Sequence, residues 1–222
     1  MTPLTWEGCS NVRDLGGLPT ADGRETAYGA VVRGDCPDRL TATGWEALAA
    51  HGIRTIVDLR NEDEPRPDLV RPVGVTTVHV PLDGVEDTDF WDEWGTGPQF
   101  GTPLYYRPHL ERFPERNAAV LQAIGRAEPG GVLVHCVGGQ DRTGQIAMLL
   151  LALAGVPAEE IAADYRLSGN REGEEFLASQ GTSSTEVILA TLAELDVEGY
   201  LRASGVSAGE LAAVKARLIR PA

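Results

Sequence analysis

Cysteine is scarce in this chain of 222 residues: Cys9, Cys36 and Cys136 stand singly at irregular spacing. An odd count with no paired spacing argues against a disulfide framework or a zinc pattern and suits a reducing compartment. Positive charge is scarce as well. Nineteen Lys and Arg against 33 Asp and Glu give a formal net charge of -14, whereas nucleic-acid binders rely on clustered basic residues. The longest apolar run, Ile146 to Val156, is too short to span a bilayer. The opening MTPLTWEGCSNVRD lacks the basic-then-apolar order of a secretory signal. There is no internal repeat, low-complexity tract or convincing linker. What remains is the expectation of a soluble, cytoplasmic protein folded as one domain over residues 1–222, with neither a nucleic-acid nor a membrane partner. Oligomeric state is left open.

The hydrophobic pattern that is present alternates short β-branched runs with helical periodicity, as in an α/β domain with a mostly parallel sheet flanked by helices. AVVRG (30–34), IRTIVDL (53–59), VTTVHVP (75–81) and GVLVH (131–135) are the predicted strands. Between the first two, Leu40, Trp45, Leu48 and Ala49 share a helical face that Gly52 ends. Residues 104–127 read as helix, with Pro108 and Pro114 making the first part irregular. Beyond Asp141 the chain is almost wholly helical. Ser183–Glu186 and Ser207–Glu210 fit capping boxes, and their helices are expected to pack on the sheet. The stretch 84–103 lacks periodicity and is long enough to be a mobile lid. Its Phe90, Trp91, Trp94 and Phe100 would either wall a pocket or anchor the lid to the core.

One junction concentrates the chemistry. In GGVLVHCVGGQDRTGQIAMLL (130–150) a strand turns through two glycines into a helix. Such a turn gathers backbone N–H groups at a positive helix end, an anion cradle. Gly138 and Gly139 allow the backbone to curl and approach an oxyanion. The groups that would bind phosphate also favour a thiolate at Cys136. Arg142 can return over the loop to grip two oxygens with its planar fork, and Thr143 carries a hydroxyl able to donate to the sulfur. His135, adjacent along a strand, faces the opposite side and is expected to orient the loop through hydrogen bonds. Cys9 and Cys36 read as inert.

The segment from His135 to Gly144, HCVGGQDRTG, resembles the phosphate-binding loop of the protein tyrosine phosphatase superfamily. It is most similar to the HCxxGKDRTG loop of bacterial tyrosine/serine phosphatases of the tyrosine-phosphatase-B type. Asn11 to Gly17 (NVRDLGG), Val57 to Arg60 (VDLR), Asp164-Tyr165 with Ser168, and the tail GYLRASGVSAGELAAVKARLI resemble further segments of that family, so the likeness spans nearly the whole chain. The resemblance implies the cysteine-phosphatase fold and two-step phosphomonoester hydrolysis through a phosphocysteine, with no metal or cofactor. Cys136 is the implied nucleophile. Arg142, with the loop residues Val137, Gly138, Gly139, Gln140 and Thr143, holds the phosphoryl oxygens.

Asp83, at the end of the third predicted strand run, and Asp141, inside the loop, are both candidates for the general acid. Arg60 follows a strand and could reach the pocket, while Arg13 and Asp14 read as ties between the N-terminal segment and the body of the domain. Gln140 stands where the family usually has lysine. That departure removes a positive charge and argues against substrates bearing several phosphates, such as inositol phospholipids. The expected substrate is a phosphotyrosine protein, with phosphoserine and phosphothreonine as further targets. The alternatives are a small phosphorylated metabolite or phosphoinositide headgroup, a catalytically silent phospho-ligand module, and, fitting poorly, a sulfurtransferase.

Overall fold

In the computed structural model, which describes residues 1–67 and 71–219, the apolar runs form the predicted strands. The strands are β1 (Thr2–Pro3), β2 (Arg13–Asp14), β3 (Val31–Gly34), β4 (Ile53–Asp58), β5 (Thr76–His79) and β6 (Gly131–His135). Their order in the sheet is β1-β2-β3-β6-β4-β5. β3, β6, β4 and β5 are parallel, and the two-residue β1 and β2 add antiparallel pairings at one edge. Those two strands are too short to show a period of two, which is why the sequence pattern does not reveal them.

The helices are α1 (Ala42–Ala50), α2 (Thr88–Trp94), α3 (Tyr106–Arg112), α4 (Pro114–Arg126), α5 (Asp141–Leu153), α6 (Ala158–Arg166), α7 (Arg171–Ser179), α8 (Ser184–Glu194), α9 (Val197–Ala203) and α10 (Ala208–Leu218). Strand alternation sorts the core into two layers. Val32, Ile56 and Leu133 pack with Trp45 and Leu48 of α1, whereas Val31, Val57, Val132 and Val134 pack with Leu121 and Ile124 of α4 and Ile146 and Leu150 of α5. No helix among the described residues is long and apolar enough to cross a membrane.

Three expectations change. The stretch 84–103 contains α2, because Asp87 accepts the Phe90 N–H as N-cap and Phe90, Trp91 and Trp94 turn inward. The helix expected over 104–127 is divided at Phe113, just before Pro114, into α3 and α4. The helices opened by Ser183 and Ser207 do not lie mainly on the sheet: α8 packs against α6, and α10 against α4. Only Ser207–Glu210 completes both arms of a capping box, while Ser183 accepts from the Glu186 N–H alone.

The register aligns Gly34, His135, Asp58 and His79. Four parallel strands therefore end together, and the segments that follow them meet at one sheet edge. Beneath that edge lies a buried ionic knot. Arg13 Nε donates to Asp164 Oδ1 at 2.7 Å, Arg33 pairs with the other Asp164 oxygen, and both arginines donate to Ser168 Oγ at 3.0 and 3.1 Å. It ties the N-terminal segment and β3 to α6. Removing the Asp164 carboxylate, which both arginines share, leaves two buried guanidinium groups facing each other. Asp164→Asn is expected to lower unfolding free energy by about 3–5 kcal/mol, measured by urea denaturation.

Candidate active site

Cys136 follows β6 on the face of Val132 and Val134, so strand alternation carries its sulfur toward α5 and buries it. His135 faces the other way. Its Nδ1 lies 2.9 Å from the Cys136 carbonyl and its Nε2 3.8 Å from Asp58 Oδ1; burial holds the ring's pKa below the ordinary histidine range.

The loop carbonyls explain the shape of the site. The Val137 carbonyl accepts from the Cys36 N–H at 2.9 Å, that of Gly138 from Asn11 Nδ2 at 2.8 Å, and that of Gly139 from Arg33 Nη2 at 2.7 Å. The Gln140 carbonyl takes the Gly144 N–H at 2.7 Å, and the Asp141 carbonyl takes the Tyr106 hydroxyl at 2.7 Å. Every peptide here is trans, so each carbonyl points opposite to the N–H of the next residue. With the carbonyls drawn outward, the N–H groups of residues 137–142 turn to the other side. No backbone carbonyl among the described residues takes them, and only the Asp141 N–H faces a carboxylate, its own. They join the N-terminus of α5 as donors for an anion.

Glycine is demanded at one of the two loop positions. Gly139 has φ +69°, and a Cβ there would lie 2.4 Å from the Gly34 carbonyl carbon. At Gly138 an added Cβ meets no protein atom within 4 Å, and φ is not positive.

Arg142 presents the end of its guanidinium, Nη1 and Nη2, to the two oxygens of Glu64, with Nη2 to Oε1 at 2.9 Å. Nη1 also lies 3.3 Å from Asp83 Oδ2. Burial opposes its charge, but Glu64 and Asp83 outweigh that and raise its pKa. The side edge, Nε and Nη2, keeps N–H groups with no protein acceptor among the described residues.

Asp83 is brought to this edge by β5, its carboxylate accepting from Asn61 Nδ2 at 2.8 Å and its carbonyl from Trp91 Nε1 at 3.0 Å. Burial raises its pKa against the opposing pull of Arg142 and Asn61. Asp141 begins α5, and burial pushes its pKa up to about 6 even though Arg142 lies beside it. Its Oδ1 is shut off from solvent and finds no partner among the described residues.

The remaining candidates are placed less centrally. Val137 is half exposed. Gln140 turns its amide to the Gly101 carbonyl at 3.2 Å. The Thr143 hydroxyl is fully buried and makes no hydrogen bond among the described residues, to Cys136 included. Arg60 does not reach the loop: Asp58, two residues earlier, and Asp38, in the turn after β3, capture its guanidinium, with the Pro65 carbonyl at 2.9 Å. Arg13 and Asp14 are structural, Asp14 accepting from the Gly16 and Gly29 N–H groups at 2.8 Å. Phe90 and Trp91 anchor α2 against His109, Tyr105 and Phe113, Trp94 packs beside Phe90, and Phe100 stays exposed. Cys9 is pushed up to about 12, chiefly by burial, and burial also raises Cys36, so both stay thiols.

Sequence reading did not single out Arg33, Glu64, Asn61 or Asn170. Arg33 alone left a signal: it is an arginine inside an apolar strand run, fully buried in the structure.

The model of the tyrosine phosphatase family matches residues 4–220. A tyrosine-protein phosphatase of Nostoc commune is 33% identical over 209 residues, covering 81% of this chain and 71% of its own length. The triple specificity protein phosphatase PtpB of Mycobacterium tuberculosis is 28% identical over 194 residues, covering 73% and 68%. The crystal structure of P. aeruginosa TpbA in complex with phosphotyrosine aligns at 18% identity with a TM-score of 0.45, over 80% of this chain and 86% of that one. Because the family match runs through nearly every described element, from before β2 to the end of α10, this chain belongs to the tyrosine phosphatase family.

Proposed function

We propose that the chain hydrolyses phosphotyrosine in proteins, with phosphoserine and phosphothreonine as further substrates, through a phosphocysteine at Cys136. The observation that carries this reading is the set of outward-drawn loop carbonyls around the buried sulfur. The Cys136 thiolate attacks phosphorus in line with the ester oxygen, and the P–O bond to the leaving group breaks as the S–P bond forms. The N–H groups of 137–142 and the side edge of Arg142 hold the three equatorial oxygens, where transition-state charge is spread. Glu64, gripping the other edge, fixes the plane of the guanidinium. Water then attacks phosphorus, the S–P bond breaks, and inorganic phosphate leaves with the thiolate restored.

The leaving phenolate needs a proton, and Asp141 is favoured over Asp83 for supplying it. Burial raises both groups, but Asp83 is engaged by Asn61 and Arg142, whereas Asp141 Oδ1 has no partner among the described residues and the group keeps its proton to about pH 6. In the second step the resulting Asp141 carboxylate takes a proton from the attacking water. Localisation in the cytoplasm and a single-domain organisation over 1–222 accompany this reading as proposals.

Stopped-flow turnover of p-nitrophenyl phosphate tests the nucleophile. Cys136→Ser is expected to lose the burst and to fall roughly a thousandfold or more in kcat, and Arg142→Ala to fall about 10²–10³-fold. A burst of wild-type size in Cys136→Ser would overturn the reading.

Asp141→Asn separates the acid from the nucleophile. It is expected to slow O-phosphotyrosine about 10²-fold and p-nitrophenyl phosphate, whose leaving group needs little protonation, much less. The same variant carries a stability signature. The folded-state pKa lies above the ordinary value of 3.8, so wild type loses stability as pH rises through about 6 while the variant does not. The Tm of Asp141→Asn relative to wild type should therefore climb by about 5 °C between pH 4 and pH 8. A constant difference across that range would contradict a buried, proton-holding Asp141.

A further inference from the structure

The Gly101 carbonyl accepts two side-chain amides at once: Asn170 Nδ2 at 2.7 Å and Gln140 Nε2 at 3.2 Å. Asn170 is the N-cap of α7, its Oδ1 accepting the Gly173 N–H at 2.9 Å, and Gln140 belongs to the phosphate loop. Gly101 has φ +79°, and a Cβ built on it would stand 4.0 Å from both Asp141 carboxylate oxygens. The backbone at Gly101 thus lies across that carboxyl. The segment it belongs to is tied to itself, with Thr102 Oγ1 donating to the Gln99 carbonyl at 2.7 Å and Gln99 Nε2 to the Glu93 and Thr96 carbonyls at 2.8 Å. Residues 95–102 therefore form a folded cover fastened at one point by two donors, which fill both lone pairs of one carbonyl.

We propose that Gln140 and Asn170 are positioning residues: by clamping the Gly101 carbonyl they hold the 95–102 segment over Asp141 and keep water from its carboxyl. Gln140 thereby has a task of its own at the position where lysine is usual in the resembling loops. The proposal rests on Asp141 as the proton donor of the proposed reaction. Charged groups facing Asp141 are Arg142 on α5, Arg33 on β3 and Asp83 after β5; the phenols of Tyr105, Tyr106 and Tyr165 surround it. Asn170→Ser leaves all of these in place, whereas Gln140 also reaches the Tyr165 hydroxyl, so the Asn170 variant alone reports the cover most cleanly. Burial is the largest influence on Asp141, which makes it responsive to admitted water.

The test uses Asn170→Ser, which keeps a helix cap but is too short to reach Gly101, and Gln140→Met, which keeps length without a donor, singly and together. Asp141 is followed directly by carboxyl 13C NMR and indirectly by the basic limb of kcat/KM for O-phosphotyrosine. In the double variant the carboxyl titration is expected to fall by about one pH unit or more toward the ordinary aspartate value. The kcat/KM limb should move with it, for about a tenfold loss at pH 7.5. An Asp141 titration unchanged in the double variant would overturn the clamp. A titration that falls while the kcat/KM limb stays in place would uphold the clamp and overturn Asp141 as the donor.

Discussion

The site depends on where six consecutive carbonyls point. A loop of residues 136–141 left to itself would present a mixture of donors and acceptors, and an anion would be repelled as often as held. Here the carbonyl oxygens are drawn away from the interior by Asn11 from the N-terminal segment, Arg33 from β3, the Cys36 N–H just beyond it, His135 from β6 and Tyr106 from α3. The trans peptide converts those outward bonds into inward N–H groups. The geometry of the loop is thus set from behind, in part by Asn11 and Arg33, more than a hundred residues from the cysteine in sequence.

Local charge runs against global charge. The chain carries -14 overall, yet behind the loop two buried guanidinium groups, Arg13 and Arg33, share one carboxylate, Asp164. Those two positive charges against one carboxylate leave an excess of one among these three groups. That excess adds to the N-terminus of α5 and partly offsets the carboxylates, Glu64 and Asp83, that face Arg142. The two carboxyls of the pocket differ in surroundings: Asp83 has donors, while one oxygen of Asp141 has none. Burial raises both groups, and the donors on Asp83 oppose that rise where Asp141 has mainly its neighbouring charges to oppose it.

Features with a local physical cause were legible in the sequence. The β-branched runs became β3 to β6, Gly52 and Gly155 end α1 and α5 with positive φ, and the strand–glycine–helix order of 131–144 placed Cys136 at the helix N-terminus. Features set by distant partners were not. Arg60 looked free because its captor Asp38 lies 22 residues away, and Glu64 looked like one charge among many in an acidic stretch. Helix α2 was hidden because three large aromatics crowded into seven residues give no clean period. The two short antiparallel strands form through pairing with β3 rather than through their own pattern.

The central claim is that inward N–H groups at 137–142, and not surface arginines, create the anion site. It is tested most directly by a 15N–1H NMR titration with tungstate, a tetrahedral oxyanion, at neutral pH. The account predicts that the largest saturable amide shifts fall on residues 137–142. Shifts of equal size spread over exposed arginines elsewhere, with those six amides unmoved, would contradict it.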